Sequence, residues 1–194
     1  DIEEFIQTVK NIAPTFGGIN LEDIKAPESF EIERRLVEEL DIPVMHDDQH
    51  GTAIISSAAL LNAVELAGKK TEDLKMVVSG AGSAALACAN MYVLLGLKVE
   101  NILMFNSKGV LTKDNTSLSE MQLKYATDKK PMSLEEALVG ADIFLGLSSG
   151  DIMTPKMLLT MADNPIVFAM ANPNPEINYH LAVETRKDII MATG

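Results

Sequence analysis

Lys75-Met76-Val77-Val78-Ser79-Gly80-Ala81-Gly82-Ser83-Ala84-Ala85-Leu86-Ala87 is the stretch whose reading decides the fold. Met76–Val78 is a short β-rich run, Gly80-Ala81-Gly82 is a Gly-x-Gly turn, and an apolar helical pattern then runs from Ala84 to Leu95. Strand, turn and helix in immediate succession form the unit that sets backbone N–H groups and a helix N-terminus against a dinucleotide pyrophosphate. Gly80 suits the tight turn, and Gly82 lets the backbone approach phosphates closely. Ala85 stands where the fingerprint has its third glycine, a replacement the motif allows. A buried turn without a ligand shares this pattern, but here both flanking elements are present. Gly80, Ala81, Gly82, Ser83 and Ala84 are read as the phosphate-binding residues.

Working outward, the rest of the chain alternates strands and helices. Val99–Phe105 reads as a second strand ending at Asn106, Ile143–Leu147 as a third, Ile166–Met170 as a fourth and Ile189–Ala192 as a fifth. Capping-box patterns at Ser117-Leu118-Ser119-Glu120 and Ser133-Leu134-Glu135-Glu136 predict helix starts, and Thr154-Pro155 predicts another with proline at N1. Ala53–Ala67 is apolar almost all round, the mark of a buried helix, and Gly68 stands where a C′ residue is expected. The expected fold is α/β, a doubly wound parallel Rossmann-type sheet with right-handed crossovers.

Ahead of it, the sequence predicts a small part of a second α/β domain. Ile2, Phe5, Ile6 and Val9 lie at helical spacing, and a second helix runs from Pro27-Glu28 to about Leu40. Between them, Pro14–Ile24 breaks at Gly17-Gly18 and delivers Glu22-Asp23 at the end of a short apolar–polar alternation. Ile42–Met45 is a strand candidate. The expected division is residues 1–46, a remnant of a substrate and metal domain, and residues 47–194, the dinucleotide-binding domain.

Composition narrows the class. A chain of 194 residues that is 47% hydrophobic can bury a sizeable core, and it has no apolar run long enough to span a membrane. Its net charge of −12 argues against nucleic acid and anionic membrane surfaces as partners. An anionic dinucleotide must therefore be held by local dipoles. Cys88, the one cysteine, falls mid-helix and reads as a small buried hydrophobe. One cysteine and no signal peptide point to a reducing cytoplasm. The absence of an initiator Met and the stop at Ala192-Thr193-Gly194 suggest that both ends are cut from a longer chain.

Two acid pairs, Glu22-Asp23 and Asp47-Asp48, each end a short strand-like run, where carboxylates are expected to be partly buried and in need of a cation. Hard oxygen donors without nearby cysteine select Mg²⁺ or Mn²⁺ over zinc. His46 and His50 flank the second pair at i, i+4, which raises a competing His/Asp zinc site. That reading lacks a water-activating Glu and a third soft ligand.

Phe16-Gly17-Gly18-Ile19-Asn20-Leu21-Glu22-Asp23-Ile24, His46-Asp47-Asp48-Gln49-His50-Gly51-Thr52-Ala53, Gly80-Ala81-Gly82 and Ala171-Asn172-Pro173 together resemble the bacterial type of malic enzyme. The resemblance runs along essentially the whole chain, in order. It implies oxidative decarboxylation of (S)-malate to pyruvate and CO₂ with NAD or NADP and a divalent metal, in a homo-oligomer. It implies Glu22, Asp23 and Asp48 as metal ligands and Asp47 as a supporting residue. Asn172 is implied as the asparagine that contacts malate near the nicotinamide. The family's catalytic tyrosine and lysine would precede Asp1, and a second substrate asparagine would follow Gly194. Tyr92, Tyr125 and Tyr179 stand in other contexts.

Cofactor choice turns on Asn106. An acidic residue at that strand end would hydrogen-bond a ribose 2′-OH and favour NAD. Asparagine there does not repel a 2′-phosphate, and Lys108 lies two residues on, so NADP stays open beside NAD. Two other readings stay open as well. One is another two-domain dehydrogenase, of the amino-acid or methylene-folate kind. The other is a dinucleotide-sensing module without chemistry.

Overall fold

The computed structural model describes residues 1–25 and 27–194, which fall into two compact units, Asp1–Thr52 and Ala53–Gly194. In the first, α1 (Ile2–Ile12) precedes β1 (Ile19–Leu21), and α2 (Glu28–Glu39) precedes β2 (Val44–His46). Asp1 caps α1 by accepting the Glu3 N–H at 2.8 Å. The two helices bury Ile6, Val9, Ile32 and Leu36 against Leu21 of the short sheet. β1 and β2 are parallel, with Leu21 opposite His46.

α3 (Asp47–Ala67) runs through the division between the units. The sequence predicted this helix from Ala53. It starts six residues earlier, directly after β2, because acids in a first turn are favoured by the helix dipole. It ends as expected at Gly68, whose φ of +65° lets the Lys69 N–H reach the Val64 carbonyl at 3.1 Å.

The second unit then adds β3 (Met76–Ser79), α4 (Ser83–Leu94), β4 (Ile102–Asn106), β5 (Gly109–Val110), α5 (Glu120–Leu123), α6 (Leu134–Leu138), β6 (Ile143–Gly146), α7 (Pro155–Thr160), β7 (Ile166–Ala169), α8 (Tyr179–Thr185) and β8 (Ile190–Thr193). The sheet order is β5-β4-β3-β6-β7-β8. All pairings are parallel except the edge hairpin β4–β5. Chain order reverses between β3 and β6, so a crevice opens there at the carboxyl ends of the strands.

β3, β6 and β7 are buried at every position, as strands covered on both faces must be. Alternate residues separate cleanly. Met76, Val78, Ile143 and Leu145 pack with Leu60, Ala85, Cys88 and Tyr92 of α3 and α4. Val77, Phe144 and Val167 pack on the other face with Leu138, Leu158 and Ala182 of α6, α7 and α8. The doubly wound sheet is as expected, and Cys88 is wholly buried, its thiol pushed up by desolvation.

Some local expectations are corrected. The run predicted as a strand from Val99 forms a 3₁₀ turn to Asn101 and is extended only from Ile102. Ser117 does not cap a helix; its N–H and hydroxyl both go to Asn115. The capping box belongs to Ser119 with Gln122, whereas that of Ser133 with Glu136 is as predicted. α8 and the β5 edge carry no strong periodicity and were not legible in advance.

Candidate functional site

The glycine turn after β3 puts its two glycines to different uses. Gly80 has φ +125°, and a Cβ there would lie 2.5 Å from the Leu147 carbonyl oxygen, so both conformation and space demand glycine. Gly82 has an ordinary φ of −86°, and a Cβ there would meet nothing within 4 Å. The fold does not require glycine at 82. A ligand pressed against the backbone would. Gly82 is also the N-cap residue of α4 and offers no side-chain cap, which leaves the first N–H groups of the helix, from Ser83 and Ala84, facing outward. Ala85, behind them, is buried where the helix approaches the sheet.

Gly80, Ala81 and Gly82 line an open cleft of about 520 Å³ at the crevice, together with Asn106, Ser148 and Ile152. The cleft is braced from three sides. Gln122 Nε2 donates to the Ala81 carbonyl at 2.9 Å, and the Ser79 and Ser148 hydroxyls lie 2.8 Å apart across the switch between β3 and β6. Asn106 Oδ1 accepts the Lys108 N–H at 2.8 Å, which turns its amide oxygen inward and leaves the NH₂ as the free donor.

Asn172 lies exposed three residues beyond the end of β7, on the carboxyl side of the sheet. Close to it sits a residue that sequence reading did not single out. Glu176 is fully buried, with Oε1 accepting the Ser148 N–H at 3.1 Å and Oε2 the Ala171 N–H at 3.0 Å. The available signal was Gly146, where a Cβ would fall 2.5 Å from Glu176 Oε2.

In the first unit, the Leu21–His46 register places Glu22 and Asp47 at the same end of the two-stranded ribbon. Asp23 follows with φ +56°, and its N–H donates to Asp48 Oδ2 at 3.2 Å. Asn20 Nδ2 holds Glu22 Oε1 at 3.0 Å. The structure thus brings Asp23 and Asp48 together and orients Glu22. Among the described residues, no three His, Cys, Asp or Glu side chains close on one point. The expected partial burial is also corrected: Glu22, Asp23 and Asp48 are exposed and only Asp47 is half-buried, lying over Gly51. Because Asp48 lies in the first turn of α3, water and the helix dipole meet its charge.

His50 has a carboxylate partner, whereas among the described residues neither imidazole nitrogen of the buried His46 has a hydrogen-bond partner. His50 Nε2 pairs with Glu33 Oε1 at 2.9 Å, and the same oxygen accepts the His46 N–H at 2.8 Å. Glu33 was not legible as their anchor, since it lies on α2, thirteen residues from His46. Tyr92 is wholly buried, Tyr125 donates its hydroxyl to Asn90 at 2.7 Å with burial pushing its pKa up to about 12, and Tyr179 begins α8.

Comparison with known proteins bears on both units. Residues 49–194 match the family described as "Malic enzyme, NAD binding domain", and residues 1–37 match "Malic enzyme, N-terminal domain". The chain is 52% identical to the NADP-dependent malic enzyme of Halomonas elongata, over 99% of this chain and 46% of that protein. It is 50% identical to the NAD-dependent malic enzyme of Geobacillus stearothermophilus, over 100% of this chain and 41% of that one. The crystal structure of the NAD-dependent malic enzyme from Thermotoga maritima superposes with a TM-score of 0.89 at 44% identity, over 100% of this chain and 52% of that chain. The chain therefore spans about half the length of these relatives or less. With two family regions matched in order on a sheet that reverses where the glycine turn lies, the chain belongs to the malic enzyme family.

Proposed function

We propose that this chain supplies the cofactor-binding and metal-binding residues for the oxidative decarboxylation of malate to pyruvate and CO₂. The observation that carries this reading is that both matched regions, which hold Glu22, Asp23 and the glycine turn and flank Asp47-Asp48, belong to one family. When bound, the dinucleotide supplies the hydride acceptor and a divalent cation supplies a Lewis acid.

The chain's own residues do the holding. The backbone N–H groups of Gly82, Ser83 and Ala84 receive the pyrophosphate at the open end of α4. Asn172 offers an amide at the carboxyl edge of the sheet for the substrate carboxylate or the nicotinamide side of the cofactor. Glu22, Asp23 and Asp48 would hold Mg²⁺ or Mn²⁺. The donor chemistry fits: all are hard oxygens, the Asp23 backbone N–H already holds Asp48 Oδ2, and their exposure leaves room for water or substrate to complete the shell. Asp47 supports them from the next position.

Manganese binding, read from the loss of the free-ion EPR signal, tests the acids. Asp48→Asn and Glu22→Gln should each weaken Mn²⁺ binding by about tenfold or more, because each removes a charged ligand. Unchanged affinity in both would remove the acids from the metal site.

Asn106 sets the ribose environment. Its free NH₂ is a donor, suited to a ribose oxygen or a 2′-phosphate, and relatives of nearly equal identity are named for either cofactor. Asn106→Asp should raise the ratio of NADH to NADPH affinity by about tenfold, since a carboxylate beside a 2′-phosphate costs more than ~1 kcal/mol at contact range. A fixed ratio in fluorescence titrations would place Asn106 away from the ribose. Ile54, Ile55, Leu61 and Leu66 leave an apolar stripe exposed on α3, which supports self-association.

A further inference from the structure

The buried carboxylate of Glu176 has no part in the reading above, and its surroundings are unusual for a structural acid. It is completely buried, and among the described residues no Lys, Arg or His pairs with it. Both of its oxygens are used, one on each of two backbone N–H groups that belong to different loops. Oε1 holds Ser148, in the loop after β6, and Oε2 holds Ala171, in the loop after β7. The backbone on either side continues the same seam: the Met153 N–H donates to the Glu176 carbonyl at 2.9 Å and the Asp151 N–H to the Pro175 carbonyl at 3.0 Å. Gly146 leaves the space that the carboxylate fills. A buried carboxylate is retained where hydrogen bonds replace its lost hydration, so two loop amides are held to one set of positions by a strong restraint.

Those two loops occupy a particular place along the sheet. If the pyrophosphate rests on the turn after β3, one half of the dinucleotide extends over β4, where Asn106 lies. The other half must extend the opposite way, over β6 and β7, whose axes lie roughly 4.8 Å and 9.6 Å from β3. Ser148 lines the cleft on that second side, and Asn172 follows Ala171 directly. The adenosine side has its own braces, Gln122 on Ala81 and Lys108 on Asn106, and none of these involves Glu176.

We propose that Glu176 is the positioning residue of the nicotinamide half of the cleft, its carboxylate locking Ser148 and the Ala171–Asn172 segment to each other. The proposal rests on the dinucleotide reading given above. It predicts a split between two ligands that a general loss of structure would not produce. ADP-ribose, or its 2′-phosphate, contacts only the adenosine and pyrophosphate side. NADH or NADPH needs both sides.

The experiment compares the two ligands on Glu176→Gln and Glu176→Ala in the full chain, by calorimetric titration. Gln keeps the shape but turns an NH₂ toward one of the two N–H donors. The expected result is a loss of about tenfold or more in affinity for the reduced dinucleotide, with ADP-ribose affinity within about twofold of the parent. Equal losses for both ligands, or no loss for either, overturn the proposal. Failure of both variants to fold also overturns it, by assigning the carboxylate to the fold alone. Gly82→Val, titrated alongside, separates this from the reading beneath it. If that variant weakens neither ligand, the cleft is not the dinucleotide site; if it weakens both and the Glu176 variants show no split, only the role of Glu176 falls.

Discussion

Gly82→Val is expected to lower NADH or NADPH affinity by about a hundredfold while the melting temperature moves by no more than about 4 °C. The two effects separate because the structure gives Gly82 no packing reason to be glycine: its φ is ordinary and its Cβ direction is open. A valine there costs the fold roughly the difference between N-cap residues, at most about 1 kcal/mol. The same side chain would stand between the pyrophosphate and the amides at the head of α4. Losing two charge-assisted hydrogen bonds at ~1.5 kcal/mol each corresponds to about a hundredfold in affinity. Gly80→Ala is the counterpart. With φ +125° and a backbone carbonyl 2.5 Å from the new Cβ, it should destabilise the second unit by roughly 2–5 kcal/mol, whether or not ligand is present. Thermal melts with and without cofactor distinguish the pair. Equal affinity in parent and Gly82→Val would take the phosphate role from the turn.

The second expected result is that these 194 residues by themselves bind dinucleotide yet form no detectable NAD(P)H from malate with Mn²⁺. Malate oxidation needs a base at the hydroxyl, and protonation of the enolate needs an acid. Two of the chain's tyrosines are committed elsewhere, one in the core and one bonded to Asn90, and the third lies exposed at the start of α8. Each missing general acid or base costs roughly 10²–10⁴-fold, and loss of substrate positioning can cost about 7–11 kcal/mol more. A chimera supplies the positive arm. Exchanged for the matching segment of the Halomonas elongata relative, to which it is 52% identical, the chain should restore malate-dependent reduction of cofactor. Turnover by the 194 residues alone would mean that proton transfer is performed by groups within them. An inactive but folded chimera that still binds cofactor would favour the non-catalytic sensing role.

The two candidate sites were legible to different depths. The glycine turn could be read because its signal is local: three short patterns, strand, Gly-x-Gly and apolar helix, occur within about twenty residues and each constrains the next. The acid pairs could be located but not arranged. Glu22 and Asp48 are twenty-six positions apart, and whether they share a site depends on the pairing of β1 with β2, which local pattern does not encode. Their exposure was misjudged for a related reason. Asp47 and Asp48 were expected to be partly buried at the end of a strand-like run, but α3 begins with them, and Asp48 in its first turn stays exposed.

By itself, the sequence determined the doubly wound class, the position of the glycine turn between β3 and α4, the burial of Cys88 and the family. All of these follow from periodicity and short motifs, whose physical basis lies within one turn or one strand. Only the tertiary structure decided that Gly80 and Gly82 are glycines for different reasons, since the Leu147 carbonyl that excludes a side chain at 80 arrives from the residue just after β6. It alone also decided that His50 pairs with Glu33, and that Glu176 joins the loops after β6 and β7. Such contacts depend on which strands become neighbours. Neighbours in a parallel sheet are chosen by the burial of whole faces, which is a property of the assembled layers and of no single stretch of chain.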